Sequence, residues 1–255
     1  MLISHGGGGG CDMGIWLGQV IGDGYHFIAP SRFGYLRSPL PVNPTPQRQA
    51  DTLAKLLEAL NIESVIQIGL SSGGPAALQF TQRHPDRCKG LILLSAISRS
   101  LPPLPFMLRM LYPLILRSDF IPWFIYENWP DFVYRSNGVN QSTLQEIKKD
   151  PGKIELLDQL FLTTFPASMR RLGMINDQQQ CANLPDNLLM SIHVPTLVIH
   201  AIDDPIVPFE FGEYSAKKIP DAEFELIPEG GHFCTITHQE IVIPRIRKFL
   251  AENSH

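Results

Sequence analysis

The stretch Ile68-Gly69-Leu70-Ser71-Ser72-Gly73-Gly74 contains the pattern Gly-x-Ser-x-Gly. It lies between an apolar run typical of a strand at 65–68 and an apolar run typical of a helix at 75–80. A serine on a sharp strand-to-helix turn is exposed above the sheet, where it can act as a nucleophile. Ser72 does not fit the pattern, because the position two residues before it is not glycine. We therefore predict that Ser71 is a catalytic nucleophile; the alternative is a tight turn with an incidental serine.

A serine hydroxyl needs a base within hydrogen-bond reach and a third group that orients the base. Two later loops supply these groups. A buried-strand pattern at 196–200 ends in a loop with two carboxylates, and a strand pattern at 222–227 runs into a glycine-flanked loop that carries His232. Loops at the carboxyl ends of parallel strands open at one edge of the sheet. We therefore predict that Ser71, Asp204 and His232 converge there.

The choice of carboxylate follows from the turn. Asp204 directly precedes Pro205, which fixes the turn, so Asp203 is expected to be a solvated or hydrogen-bonding neighbour. For His232 the alternative is a loop histidine without a partner. His200 lies at a strand end, and we expect it to pack rather than to take part in chemistry.

An oxyanion hole needs two donors, and one is the backbone N–H of Ser72, the residue after the nucleophile. The glycine loop at 6–10, which follows the apolar run at 2–4, supplies the other. Gly7 is the first choice for this donor and Gly8 the second. Five glycines in a row are also compatible with a disordered or phosphate-cradling loop. No Lys-Ser/Thr pair follows them, which argues against a nucleotide P-loop.

Four motifs in this order make the chain similar to the α/β-hydrolase superfamily, in its serine-nucleophile branch with a helical cap. The resemblance covers residues 1–98 and 190–252. The matching positions are His5-Gly6 for the family's His-Gly turn, Gly69 to Gly74 for its nucleophile elbow, Asp204 to Pro208 for its acid loop and Gly231-His232 for its terminal Gly-His. Dehalogenase and epoxide hydrolase chemistry is disfavoured, because the related enzymes of those types have aspartate where Ser71 stands.

The chain departs from the family pattern at three places. Leu70 replaces a histidine that often precedes the nucleophile, and Ser31 stands where many members have aspartate. The two strands that usually precede the His-Gly turn are missing, which predicts an open edge at the strand 25–29. An open edge is a pairing liability. We expect either a shortened or misassigned start or an edge covered by homodimerisation.

The composition narrows the class of protein. A chain of 255 residues can bury one core and carry an inserted subdomain. A net charge of −4 gives no electrostatic reason to expect nucleic acid as a partner. The four cysteines form no Cys-x-x-Cys pair, which favours reduced thiols and a cytoplasmic protein. No zinc or haem motif is present, so no metal and no cofactor are expected. No signal peptide or membrane span is apparent.

Strand-like and helix-like runs alternate, which predicts an α/β fold: a mostly parallel sheet with helices on both faces. Predicted strands are 1–4, 25–29, 64–69, 91–95, 196–200 and 222–227, and the clearest helices are 47–60, 74–84 and 238–251. Pro244 should kink the last helix or mark its true start. The single domain has its core in residues 1–97 and 191–255 and an inserted helical cap at 98–190.

The predicted cap is rich in proline, aromatic residues and helix formers. A cap encloses a site, excludes water and sets substrate choice. A less favoured alternative is a lipid-docking surface on which Arg109 and Arg117 face the headgroups. The predicted function is a cofactor-independent serine hydrolase for a small to medium apolar ester or related acyl substrate. Carbon–carbon bond hydrolysis, acyl transfer and a catalytically weak ligand-binding protein stay open as alternatives.

Overall fold

The computed structural model describes residues 1–185 and 188–254. At its centre is a five-stranded sheet, in which the described strands lie side by side in chain order and every neighbouring pair is parallel. The strands are β1 (Leu2–Ser4), β2 (Val65–Leu70), β3 (Cys88–Leu94), β4 (Thr196–Ala201) and β5 (Glu223–Ile227). Their carboxyl ends therefore meet at one edge, as the sequence predicts.

Helices connect the strands and cover both faces of the sheet. In chain order the helices of the described residues are α1 (Cys11–Ile21), α2 (Pro46–Ala59), α3 (Gly74–Arg83), α4 (Phe106–Ile115), α5 (Phe120–Asn128), α6 (Pro130–Ser136), α7 (Gln141–Ile147), α8 (Pro151–Leu162), α9 (Arg171–Cys181), α10 (Glu210–Lys218), α11 (Cys234–Thr237) and α12 (Gln239–Asn253). Helices α4 to α9 lie between β3 and β4 and form the inserted segment. Within residues 1–185 and 188–254, none of the helices has both the length and the hydropathy that a membrane span requires.

The alternation of side chains along β3 divides the core between the two faces of the sheet. Ile92 and Leu94 belong to the cluster that contains Leu17 of α1 and Phe249 of α12. Leu91 and Leu93 belong to a second cluster, together with residues of α3. Since successive side chains of a strand point to opposite faces, a continuous apolar run requires cover on both. This confirms the predicted layering.

Local signals explain where α2 begins. The hydroxyl of Thr45 accepts a hydrogen bond from the backbone N–H of Arg48, and Pro46 occupies the first helical position. Both are favourable at a helix N-terminus, because the first N–H groups have no partner within the helix. The helix buries Leu53 and Leu57 against the sheet. Here local chemistry and burial favour the same boundary.

The prediction of a strand at 25–29 is wrong in extent, because only an isolated bridge forms there, between Ile28 and Leu2. Ile28 donates its N–H to the carbonyl of Met1 and accepts from the N–H of Ile3, both at 2.8 Å. The segment pairs on one side only, with a short strand, and Pro30 has no N–H to continue the ladder. The apolar residues at 25–29 therefore do not form a full strand.

Two predicted boundaries also need correction. Strand β3 begins at Cys88, three residues earlier than predicted, and it ends before Ser95, whose φ is 43°. Helix α12 runs through Pro244 from Gln239, so this proline does not mark the start of the helix. Burial of Val242 and Ile246 on both sides of the proline holds the helix against the sheet.

Candidate active site

Ser71 lies at the turn between β2 and α3, with a φ of 50°. This left-handed conformation is unfavourable for a residue with a side chain and is held only when the surroundings enforce it. The turn is also too tight for side chains on its flanks. A Cβ on Gly69 would lie 2.8 Å from the Cβ of Ala77, and a Cβ on Gly73 would overlap the carbonyl oxygen of Ser4. The two glycines of the motif therefore allow the strained serine.

The side chains of Ser71, His232 and Asp204 form a continuous chain of hydrogen bonds. His232 Nε2 lies 2.9 Å from Ser71 Oγ, and His232 Nδ1 lies 2.8 Å from Asp204 Oδ2. His232 follows β5 in a loop where Gly230 and Gly231 have φ values of 124° and 63°. When Nδ1–H donates to the carboxylate, Nε2 is free to accept the serine proton.

The Asp204 side chain is buried, and both of its carboxylate oxygens have hydrogen-bond partners. Its Oδ1 accepts hydrogen bonds from the backbone N–H groups of Ile206 at 2.9 Å and Val207 at 3.0 Å. Its Oδ2 faces His232, and His200 Nε2 lies 3.5 Å away. Burial alone would raise the pKa of Asp204, but the hydrogen bonds from His200 and His232 outweigh it and hold this pKa well below its ordinary value. The carboxylate therefore stays charged beside the imidazole.

Asp203 has a different position, as expected of a hydrogen-bonding neighbour. Its Oδ1 accepts from the N–H of Gly231 at 2.8 Å, and its Oδ2 accepts from Asn140 Nδ2 at 2.7 Å. Asn140 also caps α7, so Asp203 ties the histidine loop to the inserted segment. His200 is buried and lies 2.8 Å from the carbonyl oxygen of Val207. The expectation that His200 only packs is incomplete, because its Nε2 also lies 3.5 Å from Asp204 Oδ2.

The glycine loop lies beside the serine, and Gly6 and Gly7 line the same cavity. A Cβ on Gly7 would come within 3.3 Å of Ser72 Oγ, so the backbone of the glycine loop lies close to the strand-to-helix turn at Ser71. Gly8 is turned towards the inserted segment, where a Cβ would meet Thr164 and Met174. Of the two predicted donors from this loop, Gly7 is therefore the one beside the elbow.

A buried ion pair behind Ser72 was not apparent from the sequence. Asp177 of α9 accepts two hydrogen bonds from Arg32, at 2.6 and 2.7 Å. It also accepts from the hydroxyls of Ser72 at 2.8 Å and Tyr35 at 2.5 Å. Asp177 raises the pKa of Arg32, against the opposing effect of burial. Arg32 and Asp177 lie 145 residues apart in the chain, and no local pattern connects them.

The same arginine holds the glycine loop through His5. The N–H of Arg32 donates to His5 Nε2 at 2.9 Å, and Arg32 Nε donates to the carbonyl of His5 at 2.9 Å. His5 Nδ1 donates to the carbonyl of Gly6 at 2.8 Å. Burial, with a smaller contribution from Arg32, lowers the pKa of His5 well below its ordinary value. A neutral histidine therefore links the ion pair to the predicted oxyanion loop.

Ser31 and Leu70 stand where many family members have aspartate and histidine, and the structure shows what each side chain contacts. Ser31 Oγ accepts a hydrogen bond of 2.9 Å from the backbone N–H of Cys11, the first residue of α1. The hydroxyl thus satisfies one of the free donors at this helix start. Leu70 lines the cavity next to Ser71. Its apolar side chain makes this part of the cavity lining less polar than a histidine would.

The cavity at Ser71 has a volume of about 250 Å³. Its wall is mainly apolar and comes from both the core and the inserted segment: Met13, Trp16, Leu17, Leu70, Tyr112, Leu160, Phe161, Met174, Ile206, Phe233 and Ile236. Burial raises the pKa of Tyr112 to about 12, so this phenol stays neutral. Within residues 1–185 and 188–254, no group of His, Cys, Asp or Glu side chains is arranged to hold a metal ion.

Known proteins are similar to this chain in sequence and in fold. Residues 1–239 match the family described as alpha/beta hydrolase fold. The chain is 27% identical over 245 residues to a Bacillus subtilis protein named uncharacterized hydrolase YcgS. The match spans 91% of this chain and 84% of that protein. It is 26% identical to the 2-hydroxymuconate semialdehyde hydrolase of Pseudomonas sp. strain CF600, over 88% of this chain and 76% of the relative. A thermophilic esterase from Thermogutta terrifontis superposes with a TM-score of 0.75 at 27% identity, over 98% and 89% of the two chains.

Proposed function

The chain belongs to the α/β-hydrolase family and is a hydrolase, and from this we propose that it is a serine esterase. Its substrate is a small to medium apolar ester or a related acyl compound. Ser71 is the nucleophile, His232 the base and Asp204 the group that orients the base. The observation that carries the proposal is the pair of hydrogen bonds of 2.9 and 2.8 Å that joins the three side chains.

In the acylation step His232 Nε2 takes the proton of the Ser71 hydroxyl while the oxygen attacks the acyl carbon. The imidazolium that forms is stabilised by the charged carboxylate of Asp204. Negative charge collects on the former carbonyl oxygen of the tetrahedral intermediate. The backbone N–H groups of Gly7 and Ser72 stabilise this charge. His232 then protonates the leaving alcohol, which departs and leaves an acyl-enzyme.

Deacylation repeats the sequence with water. His232 takes a proton from a water molecule that attacks the acyl carbon, and a second tetrahedral intermediate collapses to the free acid. His232 returns the proton to Ser71 Oγ, which restores the resting state. Neither step needs a cofactor, because Ser71, the base and the oxyanion donors come from the chain and the second nucleophile is water. The ion pair of Arg32 and Asp177 positions Ser72 and the glycine loop for both steps.

The substrate class follows from the size and lining of the cavity. Sites that enclose drug-sized ligands have volumes of about 300–1,000 Å³, so the 250 Å³ at Ser71 fits a smaller acyl group. We assign residues 98–190 as a cap, since Tyr112, Leu160, Phe161 and Met174 of this segment line the cavity. Four unpaired cysteines support a reducing, cytoplasmic setting.

The nucleophile is tested with a fluorophosphonate probe, which reacts with activated serines. We expect the wild-type protein to be labelled and the Ser71→Ala variant to remain unlabelled. Ser72→Ala is the matched control, because its hydroxyl donates to Asp177 rather than facing His232. This variant should still be labelled, although more slowly, since the ion pair no longer holds residue 72. Labelling that persists in Ser71→Ala contradicts Ser71 as the nucleophile. No labelling of folded wild-type protein contradicts the proposal and favours a ligand-binding protein.

The substrate class is tested with p-nitrophenyl esters of increasing chain length. We expect the highest kcat/KM for short to medium acyl groups, because the cavity limits the length that it can enclose. A relative named as a 2-hydroxymuconate semialdehyde hydrolase makes that semialdehyde a useful second substrate. If the semialdehyde is cleaved and the esters are not, the chain is a hydrolase of another bond type.

A further inference from the structure

Helix α4 is unusual because it has no buried residue although it is almost entirely apolar. Its sequence, Phe-Met-Leu-Arg-Met-Leu-Tyr-Pro-Leu-Ile, contains one charged side chain. A single exposed apolar side chain is common, but a helix whose apolar side chains are mostly exposed is not. We propose that the outward face of α4 binds the surface of an anionic lipid bilayer. This proposal concerns binding and does not depend on the chemistry of Ser71.

The outward face is defined by helical spacing. Residues three to four positions apart share a side of a helix, and we call the following set the α4 face: Phe106, Met107, Met110, Leu111 and Leu114. Phe106 is 69% exposed, Met107 73% and Met110 59%. Tyr112 lies on the other side, where it lines the cavity at Ser71. The helix therefore has one side at the catalytic cavity and the other at the surface.

The next helix continues the exposed apolar character. In α5, Phe120 is 63% exposed, and its ring contacts those of Trp123 at 5.9 Å and Phe124 at 5.6 Å. Tryptophan and phenylalanine are typical of helices that lie in the headgroup region of a bilayer. Lying on a bilayer also needs no long helix, which agrees with the ten residues of α4.

The charges decide which occupant fits this surface. Arg109 and Arg117 are the charged residues of the segment 101–118, whereas the exposed carboxylate of Glu127 lies at the far end of α5, beyond the α4 face. Neither forms an ion pair with any residue in the described part of the chain, and Arg109 lies over the ring of Phe106 at 5.8 Å. The nearest acidic residue in sequence, Asp119, accepts hydrogen bonds from the N–H and the hydroxyl of Ser168. Cations beside apolar side chains match anionic headgroups above acyl chains.

A second copy of the chain fits this surface less well. In a two-fold dimer through the α4 face, the same patch faces itself. Such a dimer would gather four arginines at one interface, Arg109 and Arg117 of each copy, with no acidic residue of 101–118 to offset them. Like charges brought together oppose association. The surface is therefore more favourable for an anionic bilayer than for self-association.

The test is sedimentation of the full chain with lipid vesicles. We expect binding to phosphatidylcholine vesicles that contain about one-third phosphatidylglycerol, and roughly thirtyfold weaker binding to phosphatidylcholine alone, since each arginine at an anionic surface contributes about a fivefold factor. Added salt should weaken the binding. Ser71→Ala should bind as well as wild type, so loss of hydrolysis and loss of docking can be distinguished.

Matched variants locate the surface. Met110→Ser should weaken vesicle binding at least about threefold, whereas Met190→Ser should not, although both methionines are 59% exposed. Arg109→Gln together with Arg117→Gln should remove the preference for anionic vesicles. Circular dichroism checks that each variant is folded. The proposal is overturned if wild type binds neither vesicle, if Met110→Ser binds equally well, or if size-exclusion chromatography shows a dimer that Met110→Ser dissociates.

Discussion

The sheet edge that carries Ser71, Asp204 and His232 differs from the α4 face in the contacts that its side chains make. At the edge, Asp204 accepts hydrogen bonds from two backbone N–H groups and from His232, and it is buried. On the α4 face, Met107 and Met110 have neither burial nor polar partners. The side chains at the sheet edge find their contacts within the chain, whereas those of the α4 face do not. Residues at the edge should therefore affect rate and stability, while residues of the α4 face should affect neither.

The largest effect is expected from His232→Ala. Without a base, Ser71 keeps its proton, and kcat for a p-nitrophenyl ester should fall about 10⁴-fold or more. Steady-state kinetics measures this loss. His238→Ala is the control, since His238 contacts Thr237 rather than Ser71. A His232→Ala variant with more than about a tenth of wild-type activity would exclude the proposed base.

The next effect is expected from the buried ion pair. Asp177→Ala leaves Arg32 charged and buried, so the free energy of unfolding should fall by about 3–5 kcal/mol. Urea unfolding gives this value. Asp131→Ala is the matched control, because Asp131 pairs with Lys148 at an exposed site and should cost about 1 kcal/mol or less. Equal losses in the two variants would show that burial does not determine the contribution.

A smaller effect concerns pH and His5. The folded protein keeps His5 neutral, whereas the unfolded chain binds a proton near pH 6.5. The contribution of a neutral His5 to stability is therefore full above pH 6.5 and decreases as pH falls below it, by about 1.4 kcal/mol per pH unit. Urea unfolding between about pH 6 and 5 measures this slope. The slope should be shallower in His5→Gln, and an identical slope would contradict a neutral His5.

The smallest effect is expected on the α4 face. Met107→Ser removes a side chain that is 73% exposed and should change the free energy of unfolding by less than about 0.5 kcal/mol. Leu17→Ala, in the buried cluster under the sheet, should cost about 2–5 kcal/mol. Thermal unfolding compares the two. A large loss in Met107→Ser would mean that the α4 face packs against the protein in solution.

The sequence was most informative where one short pattern imposes one geometry. Glycines at 69 and 73 around Ser71 predict the strand–turn–helix, since larger residues would collide there. It was least informative at 25–29, where β-type residues form only a bridge. The residues of a segment do not determine how many strands lie beside it in the fold. Helix α1 was also missed, because the glycine run before it carries no side-chain cap.

The parallel α/β architecture and the residues expected at the sheet edge could be predicted from the sequence, because periodicity and tight turns are local properties. The contact of Arg32 with Asp177 behind Ser72 and the uncovered apolar face of α4 became apparent only in the folded chain. Both depend on how the inserted segment lies over the core. Contacts between residues far apart in the chain arise from packing of whole elements, and no short stretch of sequence encodes them.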